Sequence, residues 1–168
     1  MLEKRSNRGI ITLKIYTDGS LKKAGQSTTF GGWAYVAIRD CQQIAGDTGS
    51  ERNTTNQRME LLAIIKGLEY AKEHRQPNEQ VIIYSDSAYA INCYLQNWHE
   101  KWLANGWVNS NKRPVANQDL WEQIIPFFNN FWYDFRKVAG HAGDTWNEIC
   151  DYMAQDSAER AKRTWKTT

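Results

Sequence analysis

Four carboxylates, Asp18, Glu60, Asp86 and Asp151, stand in four separate segments of the chain. An all-carboxylate set suits hard divalent cations such as Mg2+ or Mn2+, which prefer oxygen ligands. Its implication is metal-assisted chemistry on a substrate rich in oxygen and negative charge.

Each acid also has a plainer reading. Asp18-Gly19 is common turn chemistry. Asp86 precedes a helix, where an N-cap belongs. Asp151, with Glu148 beside it, could complement the positive end of its helix. Glu60 is harder to explain away. It lies four residues before Ile64 and eight before Leu68, bordering a buried stripe where an unpaired carboxylate is costly, and Arg58 is not at helical pairing distance. Asp18 and Asp86 both follow the C-terminal ends of strands, beyond which open α/β sheets bind ligands. The case rests on the set of four.

The elements that must position these acids follow from periodicity. Ile11, Leu13 and Ile15 alternate with Thr12, Lys14 and Tyr16, a strand expected to end at Asp18-Gly19-Ser20 and to give way to a loop reaching Thr29. Phe30 to Arg39 and Gln42 to Gly49 read as a hairpin turning at Asp40. From Asn56 to about Glu73, Leu61, Ile64, Ile65 and Leu68 form a helical stripe. Val81 to Tyr84 is a continuous apolar run, a strand covered on both faces. Helices are expected over Ser87 to Gln96, Trp98 to Trp107 (interrupted at Asn105-Gly106), and Ala116 to Asn129 with Asn117 as N-cap. A fifth strand over Phe131 to Val138, a mobile loop at Gly140-His141-Ala142-Gly143 and a helix over Asn147 to Lys162 complete an α/β domain with a mixed sheet.

The 168 residues, 41% of them hydrophobic, fit one globular domain over 1–168, with residues 1–9 a polar, basic, flexible tail. No apolar run approaches the roughly 20 residues of a membrane span, and MLEKRSNRG has no signal-peptide core. A soluble, cytoplasmic protein is the expectation. Cys41, Cys93 and Cys150 are odd in number and scattered, arguing against both a disulfide framework and a zinc site. The net charge of +2 does not by itself announce nucleic acid, although two divalent ions would add their own charge to it. Five of the eight Trp fall between Trp98 and Trp132.

The chain resembles the type 1 ribonuclease H family from Ile11 to about Arg163. The matching stretches are Tyr16-Thr17-Asp18-Gly19-Ser20, Thr54-Thr55-Asn56-Gln57-Arg58-Met59-Glu60-Leu61 and Tyr84-Ser85-Asp86-Ser87. They continue with Lys112-Arg113-Pro114-Val115, Asp119-Leu120-Trp121, Gly140-His141-Ala142-Gly143 and Asn147-Glu148-Ile149-Cys150-Asp151. Each motif alone is weak; their order and spacing make the match specific. The resemblance implies a five-stranded mixed sheet in the order 3-2-1-4-5, flanked by helices. It further implies endonucleolytic cleavage of the RNA strand of RNA–DNA hybrids, leaving 5′-phosphate and 3′-hydroxyl ends. Asp18, Glu60, Asp86 and Asp151 match the family's metal-binding acids, for two Mg2+ or Mn2+ ions, and His141 its loop histidine. A phosphodiester repels nucleophiles through its own charge, and a pair of ions about 3.5–4 Å apart relieves this at both the attacking and leaving oxygens. His141 would assist proton transfer or product departure; a surface histidine in a glycine-rich turn is its plain alternative.

Telling RNA from DNA relies on the 2′-hydroxyl, which small polar groups reach across a shallow minor groove. Asn56, Gln57 and Asn92 match positions that do this, Thr55 matches a phosphate pocket for the DNA strand, and Trp98 is placed to stack on a deoxyribose or simply to pack between helices. Lys112 and Arg113 would supply phosphate contacts, a solvated surface being the plain alternative for such a pair. Two departures stand out. Leu21-Lys22-Lys23-Ala24-Gly25-Gln26-Ser27 replaces the usual Gly/Pro-rich run, and Leu103-Ala104-Asn105 stands where the family's basic handle carries cations. Two other readings share this architecture: a non-catalytic hybrid- or duplex-binding module, and a DNA transposase or integrase core. No obligate protein partner, membrane contact or oligomer is indicated, so a monomer is expected.

Overall fold

The alternation at Ile11–Tyr16 becomes a strand, but the strand does not stop at Asp18. In the computed structural model, which describes residues 9–138 and 144–167, β1 spans Ile11–Ala24. Every residue from Lys14 to Ala24 is paired with one of β2 (Thr28–Arg39), and the hairpin closes at Gly25, whose φ of +69° suits glycine. The expected loop is therefore a correction: Leu21 to Ala24 belong to the sheet. Lys22 and Lys23 hid this, since a sheet extension with accessible faces needs no apolar alternation. β3 (Gln42–Arg52) likewise runs past Gly49, paired with β2 as far as Phe30↔Arg52.

After α1 (Asn56–His74) the chain enters β4 (Glu79–Ser85), which lies parallel to β1. Then come α2 (Ala88–Gln96), α3 (Trp98–Asn105), α4 (Gln118–Ile124), a 3₁₀ turn (Ile125–Phe127), β5 (Tyr133–Lys137) and α5 (Thr145–Thr167). The sheet order is β3-β2-β1-β4-β5, as the resemblance implies. Helix bounds differ from expectation most at α4 and α5. α4 tightens into the 3₁₀ turn around Pro126, and Asn117, although at its cap position, is left-handed and makes no side-chain cap bond. α5 begins at Thr145, not Asn147, so Asp151 sits in its second turn and not among the acids of its first.

The two faces of the sheet are covered unequally. Leu13, Ile15, Val81 and Ile83 pack under α1 residues Leu61, Ile64, Ile65 and Leu68, together with Trp102 and Trp121. On the other face, Tyr16, Ala34, Val36 and Ile38 meet Cys150 and Ala154 of α5. Each large aliphatic side chain buried this way contributes roughly 1.5–3 kcal/mol. Among the described residues no helix is long and apolar enough to cross a membrane. The residues of the 1–9 tail other than Gly9 lie outside the described set.

Candidate active site

The parallel pairing of β1 with β4 ends at Tyr16↔Tyr84, whose rings stack 4.7 Å apart. Two residues further along each chain stand Asp18 and Asp86. Beyond this point β1 stays with β2 (Asp18↔Ala34), while β4 gives way to α2. The acids thus occupy the crevice where the strands part company. Ser87, not Asp86, caps α2: its Oγ accepts from Ala90 N at 3.2 Å.

Gly19 brings Glu60 to this crevice. A Cβ added there would lie 2.5 Å from Glu60 N and 2.7 Å from Met59 C, so the glycine serves close approach of α1 and not a turn. Gly32 on β2 does the same for α5, because a Cβ there would collide with Ala154 O and Ala158 N. That seating fixes the depth of α5 and hence the reach of Asp151.

Ligand oxygens of Asp18, Glu60 and Asp86 all lie within 4.8 Å of one another. Asp151 is close enough to hydrogen-bond Asp18 and to repel Asp86, and it accepts from Gln155 Nε2 at 2.9 Å. Asp18, only 4% exposed, is pushed up to about 8, first by burial, then by Asp86, with Asp151 adding and the 2.8 Å bond from Gly19 N opposing. Burial and then Asp86 push Glu60 up to about 7, against hydrogen bonds from Ser87 and Asn56. Asp86 is raised by burial and by Asp151, with Lys137 pulling the other way. Carboxyl groups this crowded resist joint ionisation. Among the described residues no Lys or Arg forms an ion pair with any of the four. An all-oxygen donor set with Lys137 as a distant counter-charge and no ion-paired cation among the described residues fits hard divalent cations, whose own charge would reverse these shifts.

Several supporting roles escaped the sequence reading. Asn56 Nδ2 donates to Glu60 Oε1 at 3.2 Å, and Ser87 steadies the same carboxylate while capping α2. Arg58 is committed elsewhere: its guanidinium forks onto Asp119 at 3.1 and 2.8 Å and reaches Glu51 at 3.4 Å, tying α1 to α4 and β3. An S-x-x-A start to α2 hints at Ser87, but nothing local signals a pair separated by 61 positions. Cys150 is sealed beneath the site, its thiol aimed at Ala34 O (3.2 Å) and raised well above its usual value by burial and then by Asp18. It serves as packing, not as a ligand.

Thr55 caps α1, accepting from Arg58 N at 3.1 Å, so Thr55, Asn56 and Gln57 stand together at the helix start, with Asn56 one turn before Glu60. Asn92 is half-buried on α2. Trp98 opens α3 half-buried, its ring 5.6 Å from Tyr89 and its Nε1 donating to Gln96 Oε1 at 3.0 Å. Lys112 and Arg113 are exposed on a loop folded by Asn109, whose Oδ1 accepts from Asn111 N and Arg113 N. His141 lies outside the described residues.

The RNase H family model matches residues 11–159. The ribonuclease H of Syntrophomonas wolfei is 45% identical over 145 residues, covering 85% of this chain and 93% of that protein. The crystal structure of LC9-RNase H1, described as a type 1 RNase H with the type 2 active-site motif, is similar with a TM-score of 0.66 at 25% identity, over 92% of this chain and 75% of that one. A foamy viral protease-reverse transcriptase solved in complex with RNA/DNA hybrid shares the fold, with a TM-score of 0.77 at 18% identity, over 89% of this chain and 20% of that one. With its order of strands, its acid cluster and relatives matched over nearly their full length, the chain belongs to the ribonuclease H family, type 1, a family of divalent-metal-dependent hydrolases.

Proposed function

We propose that the chain hydrolyses the RNA strand of RNA–DNA hybrids endonucleolytically, leaving 5′-phosphate and 3′-hydroxyl ends, with two Mg2+ ions held by Asp18, Glu60, Asp86 and Asp151 and Mn2+ as a substitute. The observation that carries this reading is the convergence of three carboxylates within 4.8 Å at the end of the β1/β4 pairing. When bound, the ions supply neutralisation of the charge that builds on the attacking and leaving oxygens.

The chain's own residues supply position and selection. Asp18 has the least freedom, being buried in a paired strand, and fixes the centre of the site. Asn56 and Gln57 stand where 2′-hydroxyls of the strand to be cut can be read, with Asn92 on α2 as a further minor-groove contact. Thr55 grips a phosphate of the DNA strand, Trp98 offers an aromatic face to a deoxyribose, and Lys112 with Arg113 adds phosphate contacts. His141 takes up or delivers a proton, or helps product to leave. The foamy viral relative, seen with a hybrid, supports the choice of substrate. Three free thiols, Cys93 and Cys150 buried, support a reducing, cytoplasmic setting, and the protein acts as a monomer.

Labelled hybrid, double-stranded RNA and double-stranded DNA, each incubated with Mg2+, Mn2+ or a chelator, test the proposal. Cleavage of hybrid alone, by either metal and not with chelator, is expected. Equal cutting of double-stranded DNA would favour the transposase-like reading instead. Hybrid binding without cleavage would favour the non-catalytic module.

A further inference from the structure

The extension of the sheet beyond Asp18 carries its own cationic feature. Lys22 of β1 is paired across from Phe30 of β2, and Phe30 from Arg52 of β3. Side chains alternate along a strand, so Lys22 shares the α5 face with Asp18, and register places Phe30 and Arg52 beside it. Here the last turns of α5 close over the sheet to form a cleft of about 500 Å³, lined by Phe30, Ser50, Arg52, Ser157, Arg160 and Trp165.

The chemistry of this cleft is that of an anion site. The Arg52 guanidinium lies over the Trp165 ring, 5.0 Å from its centre, a cation–π contact that restrains it. Arg160 is held through Nε by Asp156 at 2.8 Å, and its side chain is 75% exposed. Glu51 also lines the cleft, and its carboxylate is engaged by Arg58 at 3.4 Å. Ser50 adds a hydroxyl to the lining.

Its position suits the substrate. Lys22 is four residues past Asp18, about 13 Å along an extended strand. Arg160 is nine residues past Asp151, about 13 Å along a helix. Along both elements the rise past the acids is equivalent to about four base steps of a duplex, with Arg160 on the flank of α5 opposite Asp151, beside β3.

We infer that Arg52 and Arg160, flanked by Lys22, form a subsite for a backbone phosphate of the bound duplex about four base steps from the scissile position. This rests on the hybrid substrate proposed above. It gives the long hairpin after Asp18 a purpose and sets cations on the α5 side in a chain whose handle is poor in them.

The test uses the full chain with two RNA–DNA hybrids, extending about two and about eight base pairs beyond the cut on each side and each closed at one end by a short loop joining the strands, so that the shorter stays paired and only the longer reaches the cleft. Binding is followed by anisotropy in chelator, across salt. Arg160→Ala should weaken the longer hybrid about five- to tenfold and lower its salt slope by about one, with Arg52→Ala/Arg160→Ala lowering it by about two, while leaving the shorter hybrid unchanged. Equal affinity of unchanged and variant proteins for the longer hybrid would overturn the subsite, as would equal losses on both hybrids. Arg160→Ala alone decides the matter should loss of the Arg52–Trp165 stack disturb α5, because Arg160 is exposed. Cleavage of the shorter hybrid by the unchanged protein with Mg2+ scores the substrate assignment separately, since binding in chelator does not depend on turnover.

Discussion

Asn56 and Glu60, one helical turn apart on α1, are joined by a hydrogen bond of 3.2 Å from the amide to the carboxylate. The residue proposed to read the RNA sugar therefore touches a proposed metal ligand directly. Asn56→Ala should lower kcat/KM on a hybrid about tenfold, the effect of losing one hydrogen bond to a charged group. It should also raise the metal concentration needed for half-maximal rate. Steady-state kinetics across Mg2+ would check both, and an unchanged metal dependence would show that the bond does not steady Glu60.

Asp18→Asn should reduce cleavage by about a thousandfold or more, the effect of losing roughly 4 kcal/mol of transition-state stabilisation. It should also stabilise the metal-free fold. Asp18 is raised to about 8 by burial and then by Asp86, so it keeps its proton in the folded chain at pH values where the unfolded chain has lost it. Metal-free stability therefore falls as pH rises from the ordinary carboxylate range to about 8, and Asp18→Asn makes that fall shallower by removing the share of Asp18, leaving those of Glu60 and Asp86. Thermal melts in chelator at acid and mildly alkaline pH would reveal it; parallel pH profiles for the two proteins would contradict it.

At the far end of the sheet, Glu79 is fully buried and forks onto Arg39 at 2.7 Å for both bonds, with Gln76 N at 3.0 Å. Burial would raise its pKa, but Arg39 and the Gln76 amide outweigh burial and lower it. Arg39→Ala, which strands a buried charge, should cost about 3–5 kcal/mol. That corresponds to a fall in Tm of about 2–4 °C per kcal/mol for a chain of this size. The pair stabilises above the ordinary carboxylate pKa and is lost as pH falls through the lowered one, so the variant should lose the acid limb of the stability profile. Activity at low temperature should survive, and melts alongside hybrid cleavage assays would check both halves.

Gly19→Ala forces a methyl group against the backbone of Glu60 and Met59. α1 must shift, and Glu60 with it. Cleavage should fall at least about tenfold, since small misplacements of a reacting group cost up to about a hundredfold. Partial recovery at high Mn2+ should accompany it, measured against Asp18→Asn, which no metal concentration should rescue.

Much of this was legible because the signals are local. The stripe at Leu61, Ile64, Ile65 and Leu68 is a helix face, Val81 to Tyr84 is a doubly covered strand, and Glu60 stands out as an acid bordering that stripe. The extension of β1 to Ala24 was not legible, because Lys22 and Lys23 are held in a strand by pairing with Phe30 and Thr29 and not by their own preference. Nor were the partners of Arg58, which depend on where α4 comes to rest. The Asp-Gly pair misled in an instructive way: Gly19 is needed for what lies across from it, and only the folded chain shows Met59 and Glu60 there.

The seating of α5 on Gly32 leaves its mark on how this protein can change over generations. Because Ala154 and Ala158 rest against bare strand backbone, the reach of Asp151 is set by atoms common to every residue type. The outward side of the same helix, with Glu159 and Arg163, can then be rewritten for a new salinity or temperature without disturbing the chemistry beneath it.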